Sequence, residues 1–239
     1  MKIFNIIYIY YPLYSNHIIF FMCPDNCLYI FILIAVLGII IYFSNSLYLD
    51  SFLDYNINGK IYQVLDNNNS ENAANILSKI DDKLTNLINF IIKKYQNIDN
   101  MNNIPLKKKN IIKVIIKRLR KTYNSDSLKE NFPETSGKEV SYNLNKGNTI
   151  SLCLRNFTNP DEFHQFNDIL FVSIHELAHS CNISYGHDTS FWYIFRFLLE
   201  NAIAANIYTN VNYRKNNVNY CSMKITYNPI FDKTLDDEY

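Results

Sequence analysis

The segment spanning 168–182 constrains this chain more than any other. Ile169, Leu170, Phe171, Val172, Ile174 and Leu177 make it largely apolar, the pattern of a helix buried in a core. Asn167 or Asp168 is suited to cap its start. Within this apolar run stand His175, Glu176 and His179. Residues four apart share one face of a helix, so both imidazoles can reach a single metal ion.

Glu176 is one step round the helix, which puts its carboxylate beside the open position of such an ion. Neutral imidazoles leave the charge of zinc unquenched, and a water bound there has a pKa of about 7. Glu176 is then the expected proton carrier, from that water to a leaving amine. Three of the five histidines fall within thirteen residues, because Gly186-His187 follows the helix. Gly186 lets the chain turn back so that His187 supplies a third ligand. Glu200 is the rival, but it follows a long apolar run and lacks the adjacent glycine. Asp188 reads as the cap of a last helix, over about 189–205, or as a partner orienting an imidazole. His164 reads as a plain surface residue. Tyr185, Tyr193 and Tyr220 are equal candidates for an oxyanion helper.

Elsewhere, residues 27–43 carry no charged side chain and predict a transmembrane anchor, since a helix of that length spans roughly 25 Å against a bilayer core of roughly 30 Å. Residues 3–22 are apolar but interrupted, and translation is expected to start at Met22 rather than Met1. Residues 47–70 read as a stalk. Apolar residues three and four apart predict a helix over 71–96. A second, over 105–122, begins at Pro105 and carries Lys107, Lys108, Lys109, Lys113, Lys117, Arg118, Arg120 and Lys121 opposite an isoleucine face. Such a face suits nucleic acid or an anionic membrane surface, or simply solvent. The whole chain has a net charge of only +1, which excludes a strong global bias to either.

Residues 124–139 read as loop, then Val140–Leu144 and 149–155 as a hairpin. The strand 149–155 is a candidate edge for holding an extended substrate. Alternation at Cys221, Met223, Ile225 and Tyr227 predicts one more strand, and residues 231–239 an acidic tail. The five cysteines are odd in number and scattered, which argues against a disulfide framework and mildly for a reducing compartment.

The run HELAHSCNISYGHDTSFW resembles the active-site signature of WLM-type (Wss1-like) metallopeptidases. Together with SYNLNKGNTISLCLR and FRFLLENAIAANIY, it is similar to small WLM-like proteins of large DNA viruses. The resemblance implies a minimal zincin fold over 71–230, with His175, His179 and His187 holding Zn2+ and Glu176 as the catalytic acid/base. The fold class expected is therefore α+β: an N-terminal hydrophobic segment (1–46) with its transmembrane helix, a stalk, then a helical hairpin, a small antiparallel sheet and an active-site helix. The function expected is that of a membrane-anchored zinc metallopeptidase acting on protein or peptide, placed in a virion or host-cell membrane. The alternative is a binding module that uses the basic helix 105–122 without proteolysis.

Overall fold

In the computed structural model, residues 27–46, 52–131, 141–144, 146–147, 149–156 and 158–235 are described. The chain divides into two compact units, residues 1–49 and 50–239.

The first unit contains one described element, helix α1 (Cys27–Ser46), whose side chains over residues 29–41 are apolar and exposed. No helix among the described residues is long and apolar enough to cross a membrane. The expected single-pass anchor, and the membrane location that rested on it, are therefore overturned. The interrupted segment 3–22, Met22 and the tail beyond Leu235 lie outside the described residues.

The second unit opens where a stalk was expected. Strands β1 (Phe52–Ile57) and β2 (Lys60–Leu65) pair antiparallel around Asn58-Gly59. Both turn residues have positive φ, 55° and 83°, as a two-residue hairpin turn requires. Helix α2 (Ser70–Lys94) follows, and Ala73, Ala74, Leu77, Ile80, Leu84, Leu87 and Ile91 form its buried stripe. Helix α3 (Leu106–Thr122) starts after Pro105, whose fixed φ suits a helix entry.

The stretch expected as loop after α3 contributes β3 (Leu128–Glu130), while β4 (Tyr142–Leu144) and β5 (Thr149–Leu152) form the expected hairpin. The sheet runs β1-β2-β3-β5-β4. Strand β3 lies parallel to both β2 and β5, and the outer pairs are antiparallel. The sheet is thus mixed rather than antiparallel, because the chain returns to it through α2 and α3. It also places β4, not β5, at the edge.

Helices α4 (Phe166–Cys181) and α5 (Thr189–Ala204) complete the core. α4 packs against α2, α3, α5, β4 and β5, and Ile169, Leu170, Ile174, Leu177 and Ala178 are almost wholly buried on it. Fully burying one such leucine or isoleucine contributes roughly 1.5–3 kcal/mol. No side chain caps its start; Gln165 holds the cap position, not Asn167 or Asp168. A separate hairpin, β6 (Val218–Tyr220) and β7 (Met223–Ile225), closes the unit.

Candidate metal centre

Four-residue spacing on α4 aims His175 and His179 the same way, with their Nε2 atoms 3.2 Å apart. The helix ends at Asn182, and Gly186 at φ 90° reverses the chain. His187 thereby reaches both, its Nε2 lying 3.1 Å from that of His179 and 3.0 Å from that of His175. Glu200 is not part of this group: it is exposed on α5 and receives a hydrogen bond from Arg196 Nε at 3.0 Å.

Three ring nitrogens in a near-equilateral triangle crowd their lone pairs together unless a cation is shared. All three can touch one ion at the usual Zn–N distance of about 2.0–2.1 Å. Burial, then the neighbouring rings of His179 and His187, holds His175 well below the ordinary imidazole range. Burial, then His187 and Lys146, lowers His179 to about 4. Both rings are therefore neutral at pH 7, the form that ligates metal. The donor set fits zinc.

Aromatic rings from the first turn of α5 support the histidines. Phe191 stacks on His179 with centroids 4.3 Å apart and contacts His175 at 4.8 Å, and Trp192 stacks on His187 at 5.4 Å. Asp188 caps that helix, accepting from the Phe191 amide at 2.9 Å. Its carboxylate also takes bonds from Ser184, Ser190 and Asn182. Those bonds, Ser184 first, hold it below the usual carboxylate range.

The imidazoles line a cavity of about 590 Å³. Glu176, 4% exposed, lies on its wall. Ser141, Tyr142 and Asn143 around β4 form one rim, and Met223, Lys224 and Ile225 of β7 form another. Among the described residues the edge strand beside the site is therefore β4 rather than the 149–155 strand. Of the tyrosine candidates, Tyr220 is buried and gives its hydroxyl to the Cys153 carbonyl at 2.5 Å. Tyr193 is not on the cavity wall, whereas Tyr185 is on the wall and 86% exposed.

Sequence reasoning missed two polar residues that fasten this site. Asn143 Nδ2 donates to the Glu176 carbonyl at 2.7 Å and to Ser180 Oγ at 2.6 Å. Lys146 Nζ donates to the carbonyls of Asn182, Ile183 and Ser184 at 2.7, 2.9 and 2.8 Å. An asparagine and a lysine beside a polar turn look like surface in sequence, and only the fold brings them to the end of α4.

Three other expectations change. Cys153 and Cys221 form a disulfide across 68 residues of sequence, a pairing that scattered spacing conceals because tertiary proximity creates it. His164 is partly buried, its Nε2 accepting the Cys221 amide at 2.9 Å. The basic face of α3 is partly consumed internally. Lys109 donates to the Asp99 carbonyl at 2.8 Å, Lys113 pairs with the Asp99 carboxylate, and Arg118 donates to the Cys181 carbonyl at 3.1 Å.

A family model for the WLM domain matches residues 57–228. A protein of Acanthamoeba polyphaga mimivirus is 32% identical over 195 residues, covering 81% of this chain and 92% of its own length. A protein of Invertebrate iridescent virus 6 is 33% identical over 69 residues, 28% of this chain and 38% of its own. Among solved structures, Wss1 from Saccharomyces cerevisiae aligns with a TM-score of 0.32 and 24% identity, over 44% of this chain and 86% of that one.

Proposed function

The chain belongs to the WLM domain family, a metallopeptidase-like family, and on that premise we propose that it is a zinc-dependent peptidase that hydrolyses protein substrates. The observation that carries the reading is the convergence of the His175, His179 and His187 Nε2 atoms to within 3.0–3.2 Å beside a carboxylate-lined cavity. The three imidazoles hold the ion. When bound, zinc supplies the positive charge that acidifies a water and polarises the scissile carbonyl.

The remaining work belongs to the chain's own groups. The Glu176 carboxylate takes the proton of the attacking water and delivers it to the leaving amine nitrogen. Edge strand β4 receives the substrate backbone as an added strand, which aligns the scissile bond beside α4. Phe191 and Trp192 fix the imidazoles in place against α5.

The test is to purify the protein, measure bound zinc, and compare proteolysis by wild type and Glu176→Gln. Loss of cleavage with zinc retained is the expected result. Equal activity in both, or none in either across a broad substrate panel, rejects the peptidase and favours a binding module. Metal stoichiometry in His187→Ala and Glu200→Ala tests the ligand set, with loss expected only in the first.

A further inference from the structure

A second cluster of metal-binding atoms lies outside the histidine triangle. Cys153, directly after β5, meets Cys221, in the turn between β6 and β7, as a disulfide. His164 Nε2 stands 3.4 Å from Cys221 Sγ. The two sulfurs and this nitrogen all lie within 4.8 Å of one another. The carbonyl oxygen of Arg155 is 3.5 Å from each sulfur.

The surroundings hold these atoms in place. Cys221 has φ 55°, a left-handed conformation that a residue with a side chain rarely adopts and that persists where neighbours over-determine it. The Tyr220 hydroxyl, next in sequence, is bonded to the Cys153 carbonyl, and its ring lies 4.8 Å from that of His164. His164 Nε2 accepts the Cys221 amide at 2.9 Å, so this nitrogen carries a lone pair rather than a proton. The β6–β7 hairpin fastened here forms one wall of the cavity beside the histidines.

Two thiolates and one neutral imidazole are a donor set for a soft or borderline divalent cation, with zinc foremost. We propose that Cys153, Cys221 and His164 constitute a second zinc site, which replaces the disulfide when the two sulfurs are reduced. A dithiol reductant gives two electrons and two protons to the S–S bond and becomes a cyclic disulfide itself. Zinc then displaces both thiol protons, and His164 exchanges the bond from the Cys221 amide for the metal. In either redox state the hairpin stays tied to the end of β5, so the cavity wall keeps its position. This proposal does not depend on the histidine triangle binding metal.

The experiment uses the full chain in a Cys23→Ser/Cys27→Ser background, reduced with dithiothreitol, freed of reductant and loaded with zinc or cobalt. Reduced protein is expected to bind one more equivalent of metal than Cys221→Ser. Its cobalt form should show a thiolate charge-transfer band in the near ultraviolet. Diamide, which takes two electrons and two protons to become the hydrazine, should release that equivalent and erase the band. His164→Ala should weaken cobalt binding at the band at least tenfold. The extra equivalent should persist in His175→Ala, which separates this result from the fate of the peptidase reading. Equal metal content with no band in reduced protein overturns the proposal, as does an undiminished band in His164→Ala. Should Cys221→Ser fail to fold, loss of the band on alkylating reduced wild type decides in its place, and a band that survives alkylation overturns the site.

Discussion

The ammonium nitrogen of Lys146 lies 2.7 Å from the carbonyl oxygen of Asn182, the residue that closes α4. It also takes the next two carbonyls, so one cation satisfies three acceptors at a helix C-terminus, where the dipole favours positive charge. These are the first residues of the loop that ends in His187. Lys146 therefore positions a proposed ligand without touching the metal. Lys146→Met keeps the aliphatic stem and removes the clamp. Zinc affinity, read by competition with a chromogenic chelator, is expected to fall about 10–100-fold, the range for groups that orient ligands. Unchanged affinity would show that the loop holds itself.

The same turn makes a prediction about stability. Gly147 has φ 110°, and a Cβ there would collide with the backbone carbonyl of Thr122 at the end of α3. Neither backbone can retreat without pulling the β4–β5 hairpin off the helix. Gly59 is the control, since at φ 83° it faces open space. Gly59→Ala should cost roughly 1–2 kcal/mol for the conformation alone. Gly147→Ala should cost about 3 kcal/mol or more, at the upper edge of single substitutions. Urea melts of the two variants decide, and equal losses would refute the steric account.

These turns also show what the sequence made legible. The helices were readable because α2, α4 and α5 each bury a stripe with helical period. The positions of His175, Glu176 and His179 followed from one helix alone. The β1–β2 hairpin carries a signal in Asn58-Gly59 between alternating residues, which the reading of 47–70 as a stalk does not use. Strand β3 has only three residues, and its pairing to β2 and β5 is parallel. No local pattern announces such a strand, because its partners are set by how α2 and α3 return the chain. The Cys153–Cys221 bond, the Lys146 clamp and the internal use of Lys109 and Arg118 are likewise products of tertiary contact.

Arg155 and Glu130 form an ion pair in which both side chains are buried. Arg155 Nε donates to Glu130 Oε1 at 2.7 Å, and Glu130 Oε2 accepts the Leu65 amide at 2.9 Å. Burial lifts the Glu130 carboxyl above its usual range even though the guanidinium beside it pulls the other way. Desolvation thus outweighs the pairing. Breaking the pair with Glu130→Ala strands a buried cation and should cost roughly 3–5 kcal/mol in chemical denaturation. The double replacement Glu130→Leu/Arg155→Met should recover much of that loss. A double variant as unstable as the single one would show that the pair is a net source of stability.

Asp81, fully buried on α2, is the hub of a second polar cluster, and it predicts how the fold responds to alkali. Its carboxylate accepts from the Tyr62 hydroxyl at 2.9 Å and the Tyr123 hydroxyl at 2.6 Å, and it pairs with Lys60. Burial first, then these bonds to a carboxylate, raises both phenols above the ordinary tyrosine range. The folded state therefore favours the neutral phenol, while an unfolded tyrosine ionises near pH 10. Below about pH 10 neither state is ionised, and the cluster contributes its full stability. As pH rises beyond that, the unfolded chain loses protons that the folded chain keeps, so stability falls. Urea midpoints measured from pH 8 to 11.5 should hold steady and then drop. Tyr62→Phe and Tyr123→Phe should each lower the plateau, because Asp81 loses a donor, and each should make the alkaline drop shallower. A drop of the same slope in both variants would place its origin in other groups.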